Sequence, residues 1–156
     1  MTNAYTELLA GLDAGQLDGV LALGSRRLVP GGSELFHLGQ DAECLFLVES
    51  GRVRLTMPIA LRGREEQVLV EEITVGQVLG WSAVVPPYRF TLTGMAPVDT
   101  EVLALPRESL RKHFAEHPDV GYAVSQNLAA SIGRRLQLFQ AMWLRQVQRL
   151  VESRCA

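Results

Sequence analysis

The sequence predicts an α+β protein, mainly β, in which a double-stranded β-helix (a jelly-roll β-roll) is flanked by N-terminal helices and a long C-terminal helix. First, residues 26–105 consist of short β-like runs separated by glycines, and several runs alternate in period two, as half-buried strands do. Second, residues 120–151 contain no proline and repeat apolar side chains at helical spacing. Third, the chain is 47% hydrophobic and 21% charged, which is ordinary for a globular protein.

The N-terminal region shows short helical spacing over residues 4–12 and 17–23, interrupted near Gly15. Two segments of the β-rich region predict hairpin turns: ESGR at 49–52, and a charged tip, ALRGREEQ, at 60–67. Many short strands at this spacing are typical of a sandwich, a barrel or a β-roll. The predicted strands are RRLVP, SELFHL, CLFLVES, RVRLTM, QVLVEEI, QVLG, RFTLTGM and TEVLAL.

Helical texture returns after Pro106. RESLRKHFAEH at 107–117 predicts a short helix, and Pro118 marks its end, because a residue before proline disfavours helix. Pro118 also suits the first turn of a new helix. We therefore divide the chain into a β-roll domain with its N-terminal helices, residues 1–117, and a long dimerisation helix, residues 118–156.

Apolar residues of the last helix follow steps of four, four, three, four, four and three from Leu128 to Leu150, about 3.67 residues per turn. A helix of some 30 residues is about 45 Å long, whereas a compact domain of about 100 residues has a radius of gyration near 13 Å. We expect the helix to project beyond its domain and to pair with a second copy, although a kink at Gly133 that folds it back is an alternative. The expected homodimer contacts are Leu136, Phe139, Trp143, Val147 and Leu150.

Composition excludes several classes of protein. The net charge of −2 argues against specific DNA binding, which usually needs a basic face. The sequence has no apolar run of about 18 residues and no signal-peptide pattern, so we expect a cytoplasmic protein with no membrane contact. His113 to His117 matches H-x-x-E-H, but His117 stands against Pro118 at the helix end, so we predict no metal site.

The order of the short motifs resembles one family. VPGGSELFHLGQDAECLFLVESGRVRL at 29–55, TVGQVLGW at 74–81 and DTEVLALPRESLRKHFAEHPDV at 99–120 are similar to the cyclic nucleotide-binding domain of bacterial catabolite-activator-like regulators. The resemblance covers roughly residues 20–136. It implies a β-roll with a phosphate-binding cassette between its later strands, and it implies a regulatory function rather than catalysis.

The cassette departs from the family at the residues that hold the nucleotide. Members that bind nucleotide have a glutamate after the cassette glycine, whereas Trp81 follows Gly80 here. Phe90 and Thr91 stand at the positions of the phosphate-binding arginine and its hydroxyl neighbour, and Arg89 comes one residue earlier. On a regular strand that shift reverses the face. Arg89 either reaches a phosphate from the loop or is solvated, and Trp81 either stacks on a flat ligand or plugs the pocket.

The sequence therefore predicts a sensor module, not an enzyme, that binds a small anionic or flat ligand and dimerises through its last helix. No cofactor is certain, and a cyclic nucleotide or another small anion is the candidate. Because the family's regulators continue into a DNA-binding domain and this sequence ends at Ala156, we expect its output to pass through dimer geometry or to an unknown protein partner. The alternative is a ligand-free structural dimer whose pocket Trp81 and Phe90 close. The expected ligand-binding residues are Gly80, Trp81, Ser82, Arg89, Phe90, Thr91 and Arg135.

Overall fold

The computed structural model describes Tyr5 and residues 7–155. A β-roll forms the body of the protein, one short helix precedes it and two helices follow it, which confirms the predicted fold class. The elements in chain order are α1 (Ala14–Leu21), β1 (Ser25–Val29), β2 (Glu34–Phe36), β3 (Cys44–Ser50), β4 (Arg52–Leu61), β5 (Arg64–Thr74), β6 (Val78–Leu79), a 3₁₀ turn (Trp81–Ala83), β7 (Thr93–Met95), β8 (Thr100–Pro106), α2 (Arg107–Glu116) and α3 (Pro118–Cys155).

Two antiparallel four-stranded sheets face each other and enclose the core. One sheet has the strand order β1-β8-β3-β6 and the other has the order β2-β7-β4-β5. Inward-facing side chains at alternate positions of each sheet meet between them, as in other packed sheet pairs. Fully buried members of this core include Leu45, Leu47, Val53, Ile73, Leu79, Val102 and Leu105.

The turn between β3 and β4 requires glycine. Gly51 has a φ of +76°, and a Cβ there would lie 2.5 Å from Thr100 Oγ1 and 2.6 Å from the carbonyl oxygen of Asp99. The same Thr100 hydroxyl accepts from the Arg52 amide at 3.2 Å, so it is fixed in place. The predicted ESGR turn is therefore present, but it is not a hairpin, because β3 pairs with β6 and β8 in one sheet and β4 pairs with β5 and β7 in the other. Its glycine is needed both for conformation and for space.

The N-terminal region contains one described helix rather than the two predicted. Tyr5 and residues 7–11 form turns and a bend, although the spacing over 4–12 predicted a helix; Ala4 lies outside the described residues. Asn127 of α3 holds this segment in place, because its Nδ2 donates to the carbonyl oxygens of Leu8 and Ala10 at 2.9 Å each. α1 begins at Ala14 because Asp13 and Gln16 form a capping box.

Helix α3 is continuous for 38 residues, about 57 Å at 1.5 Å per residue. Val120, Val124 and Leu128 are buried in the core of the roll, whereas Trp143 is 65% exposed. The alternative of a helix folded back after Gly133 is therefore wrong, since the helix continues through that residue and its second half projects into solvent. No helix in the described part of the chain combines the length and apolar character that a membrane span needs.

The β4–β5 hairpin extends further than the sequence suggested. The strands run to Leu61 and resume at Arg64, so only Arg62 and Gly63 form the tip, both with positive φ. The outer part of the hairpin carries exposed apolar side chains on an edge of the roll. These are Met57, Ile59, Leu61, Val68 and Leu69.

Candidate functional site

A cavity of about 400 Å³ lies between the inner face of the second sheet, the segment after β6 and helix α3. This size falls in the ordinary range for small-molecule sites. Most of the lining is apolar, and four of the lining side chains are aromatic. The cavity is lined by Phe36, Leu55, Met57, Val70, Glu71, Gly80, Trp81, Ser82, Phe90, Thr91, Leu92, Ile132, Arg135, Leu136 and Phe139.

Gly80 allows the backbone to form one wall of the cavity. Its φ is +78°, and a Cβ would meet Phe46 Cδ2 at 3.1 Å and the Cys44 carbonyl oxygen at 3.2 Å. The left-handed conformation turns the chain into the 3₁₀ turn that begins at Trp81. Trp81 and Ser82 consequently both line the cavity, Trp81 half-buried and Ser82 buried.

Phe90 occupies the inward position where the family resemblance places an arginine. Its ring stacks on Phe36 with centroids 3.9 Å apart and planes 10° from parallel, and only 6% of the residue is exposed. The Phe90 amide donates to the Gln40 carbonyl oxygen at 3.0 Å, and its own carbonyl oxygen accepts from the Gly39 amide at 2.8 Å. These backbone bonds fix the segment, so an aromatic face lies where a guanidinium would meet a phosphate.

Arg89 does not line the cavity, which corrects the expectation that it could reach a ligand there. The residue is exposed, and its Nη1 donates to the Gly39 carbonyl oxygen at 3.0 Å. Phe90 and Thr91 both line the cavity, and residues 91 and 92 form a bend, so strand alternation does not govern this segment. The hydrogen bond to Gly39 holds the Arg89 side chain on the outer surface.

Arg135 of α3 is the one cation among the lining residues, and its charge is already matched. Its Nη2 donates to the Val78 carbonyl oxygen. Its Nε lies 3.3 Å from Glu71 Oε1, and Nη2 lies 3.7 Å from Glu7 Oε2. The Arg135 side chain is 11% exposed, so these contacts are only weakly screened by solvent. Two carboxylates thus neutralise the charge that an anionic ligand would need.

Glu7 is a site residue that the sequence did not reveal. Its carboxylate accepts from Ser131 Oγ at 2.6 Å and from the Val78 amide at 2.7 Å, and it lies 3.3 Å from Arg134 Nη2. It therefore joins the N-terminal segment, β6 and α3 behind the cavity. No local pattern could have indicated this, because Glu7 and Ser131 are 124 residues apart in the chain.

Glu71 is a second site residue that the sequence did not reveal. It lines the cavity from β5, two positions before the buried Ile73, and this period-two relation to a core residue was the available signal. Burial raises the pKa of its carboxyl group, the Arg135 charge lowers it, and the Glu7 charge raises it further. The net upward shift shows that the surroundings of Glu71 disfavour negative charge despite the ion pair.

The expected dimerisation residues fall into two groups along α3. Leu136 and Phe139 line the cavity, although Leu136 is still 55% exposed. Trp143 and Leu150 lie further along the helix and are 65% and 63% exposed, while Val147 between them is half-buried. One helix therefore forms a wall of the cavity and also presents an apolar surface beyond it. Its role in dimerisation stays a prediction.

The fold agrees with comparisons to known proteins. A protein-family model described as the cyclic nucleotide-binding domain matches residues 26–117. The chain is 33% identical over 130 residues to the Cyclic AMP receptor protein of Thermus thermophilus, covering 83% of this chain and 57% of that protein. The chain thus spans little more than half the length of this curated relative.

Two solved structures are similar to the fold. The crystal structure of the Thermus thermophilus Catabolite Activator Protein superimposes with a TM-score of 0.74 at 30% identity, covering 90% of this chain and 63% of that one. A cyclic nucleotide-binding domain from Methylobacillus flagellatus superimposes with a TM-score of 0.81 over 92% of this chain and 79% of that one. At 17% identity, the second comparison supports the fold alone.

Proposed function

The chain belongs to the cyclic nucleotide-binding domain family, and we propose that it is a ligand-sensing regulatory module that dimerises through α3. The observation that carries this proposal is the shared helix. Ile132, Arg135, Leu136 and Phe139 line the cavity, and Trp143 continues the same stripe as an exposed apolar surface. A ligand that contacts α3 favours one position of the helix, and that position determines how two copies meet.

Such control is a shift of population between two helix arrangements. A ligand changes their balance only to the extent that it binds one arrangement more tightly than the other. The Arg135 contacts provide such a difference, because Arg135 ties α3 to Glu71 of β5 and to Glu7 of the N-terminal segment. A molecule seated between β5 and α3 therefore contacts elements that these ion pairs hold together.

The occupant proposed for the exposed half of α3 is a second copy of this chain. Large exposed apolar patches mark interaction sites, and this surface continues directly from the cavity wall. A second α3 offers the same apolar stripe, so a two-fold arrangement buries both surfaces at once. The exposed side chains of this stripe that the pairing would cover are Leu136, Trp143 and Leu150.

Cyclic AMP is the first ligand to test, because the curated relative is named for it, but we expect weak binding. Trp81 stands where the ribose-binding glutamate is expected, Phe90 replaces the phosphate-binding arginine, and Arg135 is neutralised. Loss of the charged partner of a buried phosphate costs roughly 2–5 kcal/mol, which is about thirty- to several-thousand-fold in affinity. A micromolar site would therefore become millimolar.

The rival proposal of a ligand-free dimer is less well supported. It requires Trp81 and Phe90 to close the pocket, yet a cavity of about 400 Å³ remains between the residues that line it. We propose no catalytic role either. The titratable side chains of the lining are Glu71 and Arg135, and they form an ion pair rather than an acid and base directed at the cavity.

Calorimetry and sedimentation together test the proposed function. We expect the protein to sediment as a dimer at micromolar concentration and to give millimolar or undetectable binding of cyclic AMP and cyclic GMP. Ligands that do bind should change the dimer dissociation constant. A wild-type monomer at micromolar concentration would contradict the dimer, and micromolar cyclic AMP binding would contradict this account of the cavity.

A further inference from the structure

We propose that the cavity binds an uncharged aromatic compound. This inference rests on the proposed function, since it names the class of ligand that the same cavity takes. It follows from the charges that surround the cavity, from the aromatic side chains that line it, and from the position of its hydroxyl groups.

The charge balance disfavours an anion. Arg135 is the cation of the lining, and it already faces the carboxylates of Glu71 at 3.3 Å and Glu7 at 3.7 Å. Its Nη2 also donates to the Val78 carbonyl oxygen. Arg134 shares Glu7 from the exposed side of the helix, with Nη2 3.3 Å away. An anion entering the cavity would have to displace Glu71 from Arg135 and leave that half-buried carboxylate without its partner.

A cation is disfavoured as well. Glu71 is already paired, so it offers no free charge, and the rest of the lining is largely apolar. Burying an unpaired charge in such surroundings is costly, whereas an uncharged molecule loses little hydration. The ligand that matches this cavity is therefore neutral.

Aromatic side chains point to an aromatic partner. Phe36, Trp81, Phe90 and Phe139 line the cavity, from three separate parts of the chain that meet around it. Phe36 and Phe90 stack with centroids 3.9 Å apart, and both line the cavity with only 6% of each residue exposed. Aromatic pairs gain about 0.5–1.5 kcal/mol beyond area burial. A volume of about 400 Å³ accommodates a compound of two fused rings.

Two hydroxyl groups supply the polar contact that orients such a compound. Ser82 and Thr91 both line the cavity, and each hydroxyl can donate one hydrogen bond and accept others. Ser82 and Thr91 come from opposite ends of residues 82–91, and Thr91 directly follows Phe90. A phenolic hydroxyl or a carbonyl on the ligand would find a partner there without a formal charge.

Matched probes test the charge argument directly. 2-Naphthol and 2-naphthoate have the same ring system, and at pH 7 the first is neutral and the second anionic. We expect 2-naphthol to bind the full-length protein at least about tenfold more tightly, measured by Trp fluorescence and calorimetry. Glu71→Gln should reduce the preference by strengthening 2-naphthoate binding. Glu72→Gln is the control, because Glu72 lies next on the same strand and pairs with Arg54 at 3.0 Å on the other face.

A second pair of variants tests the location. Val70→Trp places a bulky side chain in the lining and should reduce 2-naphthol affinity at least about tenfold. Val68→Trp lies two residues away on the same face of β5, outside the lining, and should bind normally. Circular dichroism and thermal melts verify that all variants fold.

Each outcome has a definite meaning. Equal or tighter binding of 2-naphthoate, or a preference that Glu71→Gln does not change, would overturn the neutral-ligand inference while leaving a ligand-binding module intact. Naphthol binding that Val70→Trp does not weaken would overturn the assignment to this cavity. If 2-naphthol, 2-naphthoate and cyclic nucleotides all fail to bind, both this inference and the ligand-sensing part of the proposed function are wrong, whereas the dimer is tested separately by sedimentation.

Discussion

Replacement of Trp143 by glutamate should dissociate the proposed dimer. Trp143 is 65% exposed in the single chain, and a tryptophan can bury up to about 250 Å². A second copy of α3 can therefore cover about 160 Å² of this side chain, which is about 4 kcal/mol per protomer at ~25 cal/mol per Å². Both protomers of a two-fold dimer lose this burial energy, and glutamate adds the cost of an unpaired charge in an interface that excludes water.

Even the contribution of one Trp143, half of the burial energy of the pair, corresponds to a large change in the dimer dissociation constant. A loss of about 4 kcal/mol weakens the dimer roughly a thousandfold, since each 1.4 kcal/mol is tenfold. Sedimentation velocity across a range of concentrations measures the change, and far-UV circular dichroism confirms that α3 stays helical. We expect a micromolar dimer in the wild type and a monomer at the same concentration in Trp143→Glu.

Ala141→Glu is the matched control. Ala141 is exposed on the same turn, and two residues rotate about 200° around the helix, so its side chain points away from Trp143. It adds the same charge at nearly the same height and should leave the dimer intact. A monomeric wild type, or equal dissociation of the two variants, would refute the reasoning that the stripe through Trp143 forms the seam.

Three further predictions concern the site and the fold. Arg89→Ala should leave calorimetric titrations with cyclic AMP unchanged, because Arg89 points away from the cavity. If the variant loses a binding signal that the wild type gives, Arg89 contacts the ligand after all. Burial raises the pKa of Glu71 above its ordinary value of 4.5. The contribution of Glu71 to the free energy of unfolding is therefore present below pH 4.5 and is lost as the pH rises through the raised pKa. Glu71→Gln should flatten this fall in stability, measured by urea denaturation, and an unaltered pH profile would contradict the prediction. Gly51→Ala should lower the melting temperature much more than Gly63→Ala, because both glycines have positive φ but only a Cβ at Gly51 would clash. Gly63→Ala should cost about 1–2 kcal/mol from its backbone conformation. Equal losses in the two variants would show that backbone conformation alone matters.

Local patterns predicted much of the fold. Alternation, short apolar runs and glycine punctuation located the eight strands of the described residues. β4 alternates in its first half, as a half-buried strand does, whereas β3 is buried over five consecutive residues and was recognisable as a short apolar run. Pro118 correctly separated α2 from α3, since proline restricts the residue before it. Boundaries were less accurate where tertiary contacts intervene. Asn127 donates to the carbonyl oxygens of Leu8 and Ala10, and no spacing within residues 4–12 could indicate this distant contact.

The candidate site was predicted in part. Six of the seven expected ligand-binding residues line the cavity, with Arg89 as the exception, because the glycine-led segment after β6 is a local feature. Its charge state could not be predicted in the same way. Glu7, Glu71 and Arg135 come from three distant parts of the chain, and their ion pairs decide whether Arg135 is available to an anion.

The sequence by itself determined the succession of strands, the position of Gly80 and Trp81, and the apolar stripe that continues through Trp143. These are periodic or local properties, which backbone geometry converts directly into structure. Only the tertiary structure decided that Phe90 points inward and Arg89 outward, and that Arg135 is neutralised. Both depend on which distant groups meet. Electrostatic energy varies with distance and burial, and neither quantity is encoded in the spacing of residues along the chain.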